Sequence, residues 1–125
     1  MDDRSTTINI GGTDYAMVFT TRAIKEIAKR YGGLDSLGDK LLNSTAVDDS
    51  IEEVAWLLTL LCNQGIQIHN LKNPDDKKPL LSLDEVELLT TPADLGDYKD
   101  AIFEALNKGA GRNIQSEEQK NTAAG

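Results

Sequence analysis

The sequence predicts an α+β fold in which an N-terminal β-hairpin packs on a mainly α-helical domain of about four to five helices. Alternating apolar residues flank a Gly-Gly pair near the N terminus, and helical apolar spacing follows as far as Gly109. The composition, 39% hydrophobic and 27% charged, is typical of a globular protein. We therefore expect one globular domain over residues 1–109 and a disordered C-terminal tail over 110–125.

The hairpin is predicted from two alternating segments around Gly11-Gly12. Ile8 and Ile10 precede the glycines, and Tyr15, Met17 and Phe19 follow them. Both glycines can adopt positive φ, as a two-residue turn requires. A phosphate-binding loop is the less favoured interpretation, because no lysine follows at the necessary spacing.

The first helix is expected to begin at Thr20 or Thr21, whose hydroxyl can cap the first turn, and to end at Gly32-Gly33. Its predicted inward face consists of Ile24, Ile27, Ala28 and Tyr31. A short second helix over residues 34–41 is weakened by Gly38.

A third helix over residues 51–62 is predicted, with Asp48, Asp49 or Ser50 as its cap. Its inward face would consist of Ile51, Val54, Ala55, Leu58, Leu61 and Cys62. Leu57 and Leu60 widen this apolar stripe, and Trp56 lies off its centre. Such a helix is either the central core helix or the carrier of an exposed patch for a partner, with Trp56, Leu57 and Leu60 as the candidate contacts.

Residues 63–81 are interpreted as a loop with a charged turn between Pro74 and Pro79. The Ser82 to Glu85 spacing is that of a capping box, so a short helix should start there. Pro92 opens a last helix that should end at Gly109.

The sequence shows no signature of catalysis, of a cofactor or of a metal site. Asp75-Asp76 lacks the ligand spacing of a calcium loop, and His69 has no neighbouring histidine or cysteine. A net charge of −8 disfavours nucleic acid as a partner, and no apolar run approaches the roughly 20 residues of a membrane span. The single cysteine, Cys62, gives no sign of an oxidising compartment. We expect a cytoplasmic, non-enzymatic binding protein.

The order of these elements resembles that of the tail assembly chaperones of long-tailed, siphovirus-like bacteriophages and prophages. In that family a short strand pair precedes a helix that ends in an aromatic residue and glycine, as Tyr31-Gly32 does here. The later helices match in order, so the resemblance covers roughly residues 6–109. The loop from Pro74 to Pro79 and the early Gly38 depart from it.

The resemblance implies a non-catalytic role in the cytoplasm of the host cell. Such chaperones bind the tape-measure protein, keep its hydrophobic helices soluble, help to recruit tail-tube protein and leave before the virion is complete. A longer form often arises by ribosomal frameshifting. Self-association and the client segment stay open.

The alternative is a small cytosolic regulator that binds another protein through the same helices and has no role in virion assembly. A neighbouring reading frame that encodes a very long helical protein would favour the chaperone, whereas an adjacent repressor gene would favour the regulator.

Overall fold

The computed structural model describes residues 5–33, 36, 47–94 and 96–109. The predicted α+β class is confirmed: a two-stranded antiparallel hairpin packs on helices. The elements are β1 (Ser5–Ile10), β2 (Thr13–Val18), α1 (Thr21–Tyr31), α2 (Val47–Lys72), α3 (Leu83–Leu89), a 3-10 turn (Pro92–Asp94) and α4 (96–109). Most of the predicted helix over 34–41 and the whole tail over 110–125 lie outside the described residues, so the domain boundary stays a prediction.

The hairpin forms as its sequence predicts. Gly11 and Gly12 have φ values of 61° and 89°, which fit a two-residue turn with both central residues in the left-handed region. The strands pair so that Ile8 faces Tyr15 across the ladder. Alternation then places Thr6, Ile8, Ile10 and Met17 on the buried face and Thr7 and Asn9 in solvent.

Helix α4 covers the outer edge of β1. Because the turn closes on the Ile10–Thr13 pair, the carbonyls of Asn9 and Ser5 point away from β2. The Tyr98 hydroxyl donates to the Asn9 carbonyl at 3.4 Å, and Lys108 Nζ donates to the Ser5 carbonyl at 2.9 Å. From Tyr98 to Lys108 a helix rises about 15 Å, close to the about 13 Å between Asn9 and Ser5. The helix therefore runs antiparallel along an edge that would otherwise be open to pairing.

Helix α1 has the predicted ends but a different buried side. The Thr20 hydroxyl accepts from the Ala23 amide at 3.0 Å, and Gly32 caps the other end with φ 88°. Ala23 and Ile27 are fully buried, whereas Ile24 is 40% exposed. The prediction that Ile24 and Ala28 face inward is wrong, because α1 meets α2 through the side that also carries Thr20.

Helix α2 is much longer than predicted. It begins at Val47 instead of Ile51 and continues to Lys72, through residues interpreted from sequence as a loop. A polar residue of the supposed loop makes a tertiary contact: Gln64 is 4% exposed and binds Thr20. At Gly65 the helix backbone approaches β2 so closely that a Cβ would lie 2.1 Å from the Ala16 carbonyl oxygen. This glycine allows α2 to pack closely against β2.

The core lies between the hairpin, α2, α3 and α4. Its most deeply buried side chains come from every one of these elements and from α1. They include Ile10, Met17, Ile27, Val54, Leu57, Leu58, Leu61, Val86 and Ile102. Helix α2 supplies more of them than any other described element, which confirms that it is the central core helix.

Candidate partner-binding site

The first candidate surface lies where α2 faces α1. Here the Tyr31 hydroxyl donates a hydrogen bond to Glu53 Oε1, and Arg30 Nε donates to the same oxygen at 3.3 Å. The Arg30 guanidinium lies 4.7 Å from the centre of the Trp56 ring, a cation–π distance. Tyr31 and Trp56 meet edge to face with 5.9 Å between ring centres.

This cluster ties the end of α1 to α2. Glu53 is 8% exposed, and its carboxylate accepts two hydrogen bonds from side chains of α1. Burial, and then the hydrogen bond to Glu53, raise the pKa of Tyr31, so its hydroxyl stays a donor across the physiological range. These side chains satisfy one another's hydrogen-bonding groups within the chain, so we interpret the cluster as structural.

The three residues predicted to contact a partner are not used alike. Leu57 is 0% exposed and lies in the core, so the expectation that it contributes to a surface is corrected. Trp56 and Leu60 are half-buried and pack against the core, one helical turn apart. Trp56 is further engaged by Arg30 and Tyr31. Only Trp56 and Leu60 keep some exposure for a partner.

A strap, defined as residues 73–82, folds back along α2 and is held by Asn63 and Asn70 of that helix. The Asn63 side-chain amide donates to the Leu81 carbonyl at 2.8 Å and accepts from the Leu81 amide at 2.7 Å. Asn70 makes the same pair of bonds with Lys78, at 2.9 and 2.7 Å. From Asn63 to Asn70 the helix rises about 10 Å, which is also the length of an extended segment from Lys78 to Leu81. The two asparagines, called the clamps, can therefore hold one extended segment at both points.

The strap leads into α3, whose predicted capping box is confirmed. The Ser82 hydroxyl accepts from the Glu85 amide, and the Glu85 carboxylate accepts from the Ser82 amide, both at 3.0 Å. Val86 is the one fully buried residue of α3. The side chain of Leu89 lies against Gly11 of the hairpin turn, which fixes the far end of the helix.

Between α2, α3 and the 3-10 turn lies a cleft of about 150 Å³. Its floor and walls are mostly apolar, and its polar rim comes from α3 and the residues that follow it. The lining residues are Ile51, Val54, Ala55, Leu58, Glu87, Thr90, Thr91 and Pro92. Among them Val54 is 0% and Leu58 is 1% exposed, so they form the floor.

The surface of α3 exposes leucine together with acid. Leu88 is 84% exposed, Leu89 49% and Leu83 38%, while Asp84, Glu85 and Glu87 occupy three of the other four positions. No basic residue lies within the helix. Among these leucines, Leu88 is the most exposed and is therefore the strongest candidate for contact with a partner.

The described ranges contain one histidine, His69, and one cysteine, Cys62. They contain no group of three or more histidine, cysteine, aspartate or glutamate side chains that could hold a metal ion. The His69 ring lies at the end of α2, where Nε2 is 2.8 Å from the Asp76 carbonyl oxygen. Cys62 is fully buried, and burial raises the pKa of its thiol to about 12, which makes it a poor nucleophile.

Sequence reasoning located one wall of the cleft but not the cleft itself. The inward face predicted for α2 includes Ile51, Val54, Ala55 and Leu58, and the structure brings these four together. The sequence did not predict where α3 packs, and the position of α3 leaves the cleft open above these four residues. A signal was present in α3, because Leu83, Leu88 and Leu89 lie at more angles than one face of a helix can bury.

A scan of the sequence against protein-family models finds no match, and searches of curated proteins and of solved structures likewise find none. In the described part of the chain, no helix combines the length and apolarity needed to cross a bilayer.

Proposed function

We propose that this protein is a non-catalytic tail assembly chaperone that acts in the host cytoplasm. Its client would be the tape-measure protein, whose amphipathic helices it would keep soluble while tail-tube protein assembles. The order of hairpin and helices supports this role through its resemblance to that family. The alternative of a protein-binding regulator draws on the same surface.

The observation that carries the proposal is the α3 surface, where leucine side chains that are 38% to 84% exposed lie among carboxylates. Exposed apolar side chains give a chaperone the means to cover the apolar stripe of a client helix. A net charge of −8 keeps the protein and a loaded complex soluble. Both properties serve binding and need no catalytic group.

The test is co-expression with the longest helical protein encoded in an adjacent reading frame. We expect the client to become soluble and to co-purify with this chain. Leu88→Asp should reduce the rescue, because Leu88 is 84% exposed and its replacement leaves the core unchanged. Leu71→Asp is the matched control, since Leu71 is 82% exposed at the end of α2.

A client that stays insoluble both with this chain and with a longer frameshifted form would contradict the chaperone role. The regulator would then become the leading hypothesis. Equal rescue by the Leu88→Asp variant and the wild type would mean that the chaperone binds its client through a surface other than α3.

A further inference from the structure

We propose that the cleft between α2 and α3 receives one bulky apolar side chain, a leucine or a phenylalanine, from a basic amphipathic helix of a protein partner. Glu87, at the rim, binds a lysine or arginine that flanks this side chain. The inference rests on the proposed function in one respect, because it takes the partner to be a helix of the client.

The size and lining of the cleft define the apolar part of the ligand. A dry apolar cavity of about 150 Å³ is large enough to bind benzene, and the cleft has a similar volume, about 150 Å³. It is open at one side, and its floor of Val54 and Leu58 offers no hydrogen-bonding group. One leucine or phenylalanine side chain therefore fits, whereas a polar side chain would lose its hydration without compensation.

The charges around the cleft define the rest of the ligand. Among the described residues that line the cleft, Glu87 is the one ionisable residue, and no cation in the described part of the chain forms an ion pair with it. Residues 83–104 contain seven acidic residues and a single basic residue, Lys99. An acidic rim over an apolar floor complements a helix that carries lysine or arginine beside its apolar stripe.

The spacing of the rim agrees with a helical ligand. Leu83 lies one turn before Glu87 on the same side of α3 and is 38% exposed, which extends the apolar surface beyond the cleft. In an amphipathic helix, residues three and four apart are neighbours. An apolar side chain in the cleft thus places a basic residue one turn away within reach of Glu87.

A second copy of this chain is a poorer occupant. A two-fold dimer through this surface would bring the same patch of each copy together. Asp84, Glu85 and Glu87 would then face their own equivalents, and like charges in contact oppose association.

The experiment measures binding of the full chain to a labelled, 18-residue synthetic peptide by fluorescence anisotropy. The peptide is an amphipathic helix with leucines on one face and lysines on the other. Two control peptides keep the length: one has glutamate in place of lysine, and the other has serine in place of leucine. We expect the leucine–lysine peptide to bind more tightly than either control.

Three variants locate the binding site. Ala55→Leu fills the cleft and should weaken binding at least about tenfold, the effect of excluding one buried leucine. Glu87→Lys should weaken peptide binding about twofold to fivefold more than Asp75→Lys does, because it removes one partly exposed ion pair. Asp75→Lys makes the same change in net charge in the exposed strap and should stay within about twofold of wild type.

Methyl NMR spectra of the wild-type protein keep the inference testable if Ala55→Leu fails to fold. Peptide-induced shifts should centre on Val54 and Leu58, the floor of the cleft. Shifts confined to other methyl groups would overturn the inference, and so would equal binding by a folded Ala55→Leu variant or equal binding of the serine peptide.

The two proposals can fail separately. If the client is rescued equally by wild type and Ala55→Leu, the chaperone role stands and the cleft is not its docking site. If the peptide binds in the cleft but the client stays insoluble, the cleft stands as a binding site and the client is a different protein.

Discussion

The contacts of α2 with its neighbours differ in how completely they are filled. Its contacts with the hairpin and α1 are called the filled side, and its contacts with the strap and α3 are called the open side. On the side of the hairpin and α1, Gly65 lies directly against the Ala16 carbonyl, and Glu53 is held by Arg30 and Tyr31. On the side of α3, Asn63 and Asn70 hold the strap by its backbone, and beyond them the cleft stays open. One helix thus supplies both a close-packed contact and a space of about 150 Å³ with apolar walls. We infer that the filled side maintains the fold and that the open side is available for binding.

The largest expected effect is that of adding a methyl group on the filled side. Gly65→Ala would place a Cβ 2.1 Å from the Ala16 carbonyl oxygen. The backbone of β2 cannot move aside as the end of a flexible side chain can. We expect the free energy of unfolding to fall by about 3 kcal/mol or more, measured by urea denaturation with far-UV circular dichroism. Gly96→Ala is the control, because nothing lies within 4 Å of its Cβ, and it should be neutral or slightly stabilising. Equal stability of the two variants would mean that α2 is not close-packed against β2 at Gly65, and it would contradict the difference between the two sides.

The second effect concerns the buried carboxylate of the filled side. Glu53→Ala leaves the Tyr31 hydroxyl and Arg30 without their shared acceptor, so it should destabilise the protein by about 2 kcal/mol. Glu52→Ala serves as its comparison, since the Glu52 side chain is 70% exposed and lies 3.7 Å from Arg30. That surface pair should contribute less than about 0.5 kcal/mol. Chemical denaturation of both variants decides the matter, and a larger loss for Glu52→Ala would contradict the structural role of Glu53.

The third effect compares Asn63 and Asn70, the two clamps that hold the strap on the open side. Asn63→Ala removes a partner from the amide and carbonyl of Leu81, which is 7% exposed, and should cost about 1–2 kcal/mol. Asn70→Ala frees Lys78, whose backbone lies in solvent, and should cost about 0.5 kcal/mol. Native-state hydrogen exchange of the Leu81 amide should rise sharply only in the first variant. Equal costs would show that burial does not set the strength of these clamps.

The smallest effect should have the opposite sign. Ala55→Leu adds volume on the open side, where the cleft can receive it, and should change the free energy of unfolding by between about 0 and +1 kcal/mol. The melting temperature in the absence of any ligand is the measurement. A clear loss of stability would mean that the cleft cannot accept a leucine side chain, and it would contradict the difference between the two sides.

The sequence predicted best the features that depend on adjacent residues. Gly11-Gly12 specifies the turn because both residues need positive φ, and Thr20 and Ser82 cap their helices through hydrogen bonds to amides three residues away. These interactions are complete within a few residues of the chain. No distant contact was needed to predict them.

The sequence predicted poorly the features that depend on distant residues. Residues 63–81 were interpreted as a loop, yet Asn63 binds the strap and Gly65 contacts β2 from within α2. Likewise, Leu57 was a candidate surface residue until the position of the hairpin and helices placed it in the core. Polar residues and glycine have two uses, surface and tertiary contact, that periodicity alone does not distinguish.

By itself the sequence determined the class of fold, the hairpin register and the caps of α1 and α3, because local backbone preferences fix them. Only the tertiary structure decided which side of α1 is buried, how far α2 extends and where the cleft lies. Those features depend on close contacts between segments far apart in the chain, such as Thr20 with Gln64 and Tyr98 with Asn9. Burial is a property of the assembled elements, and no single element specifies it.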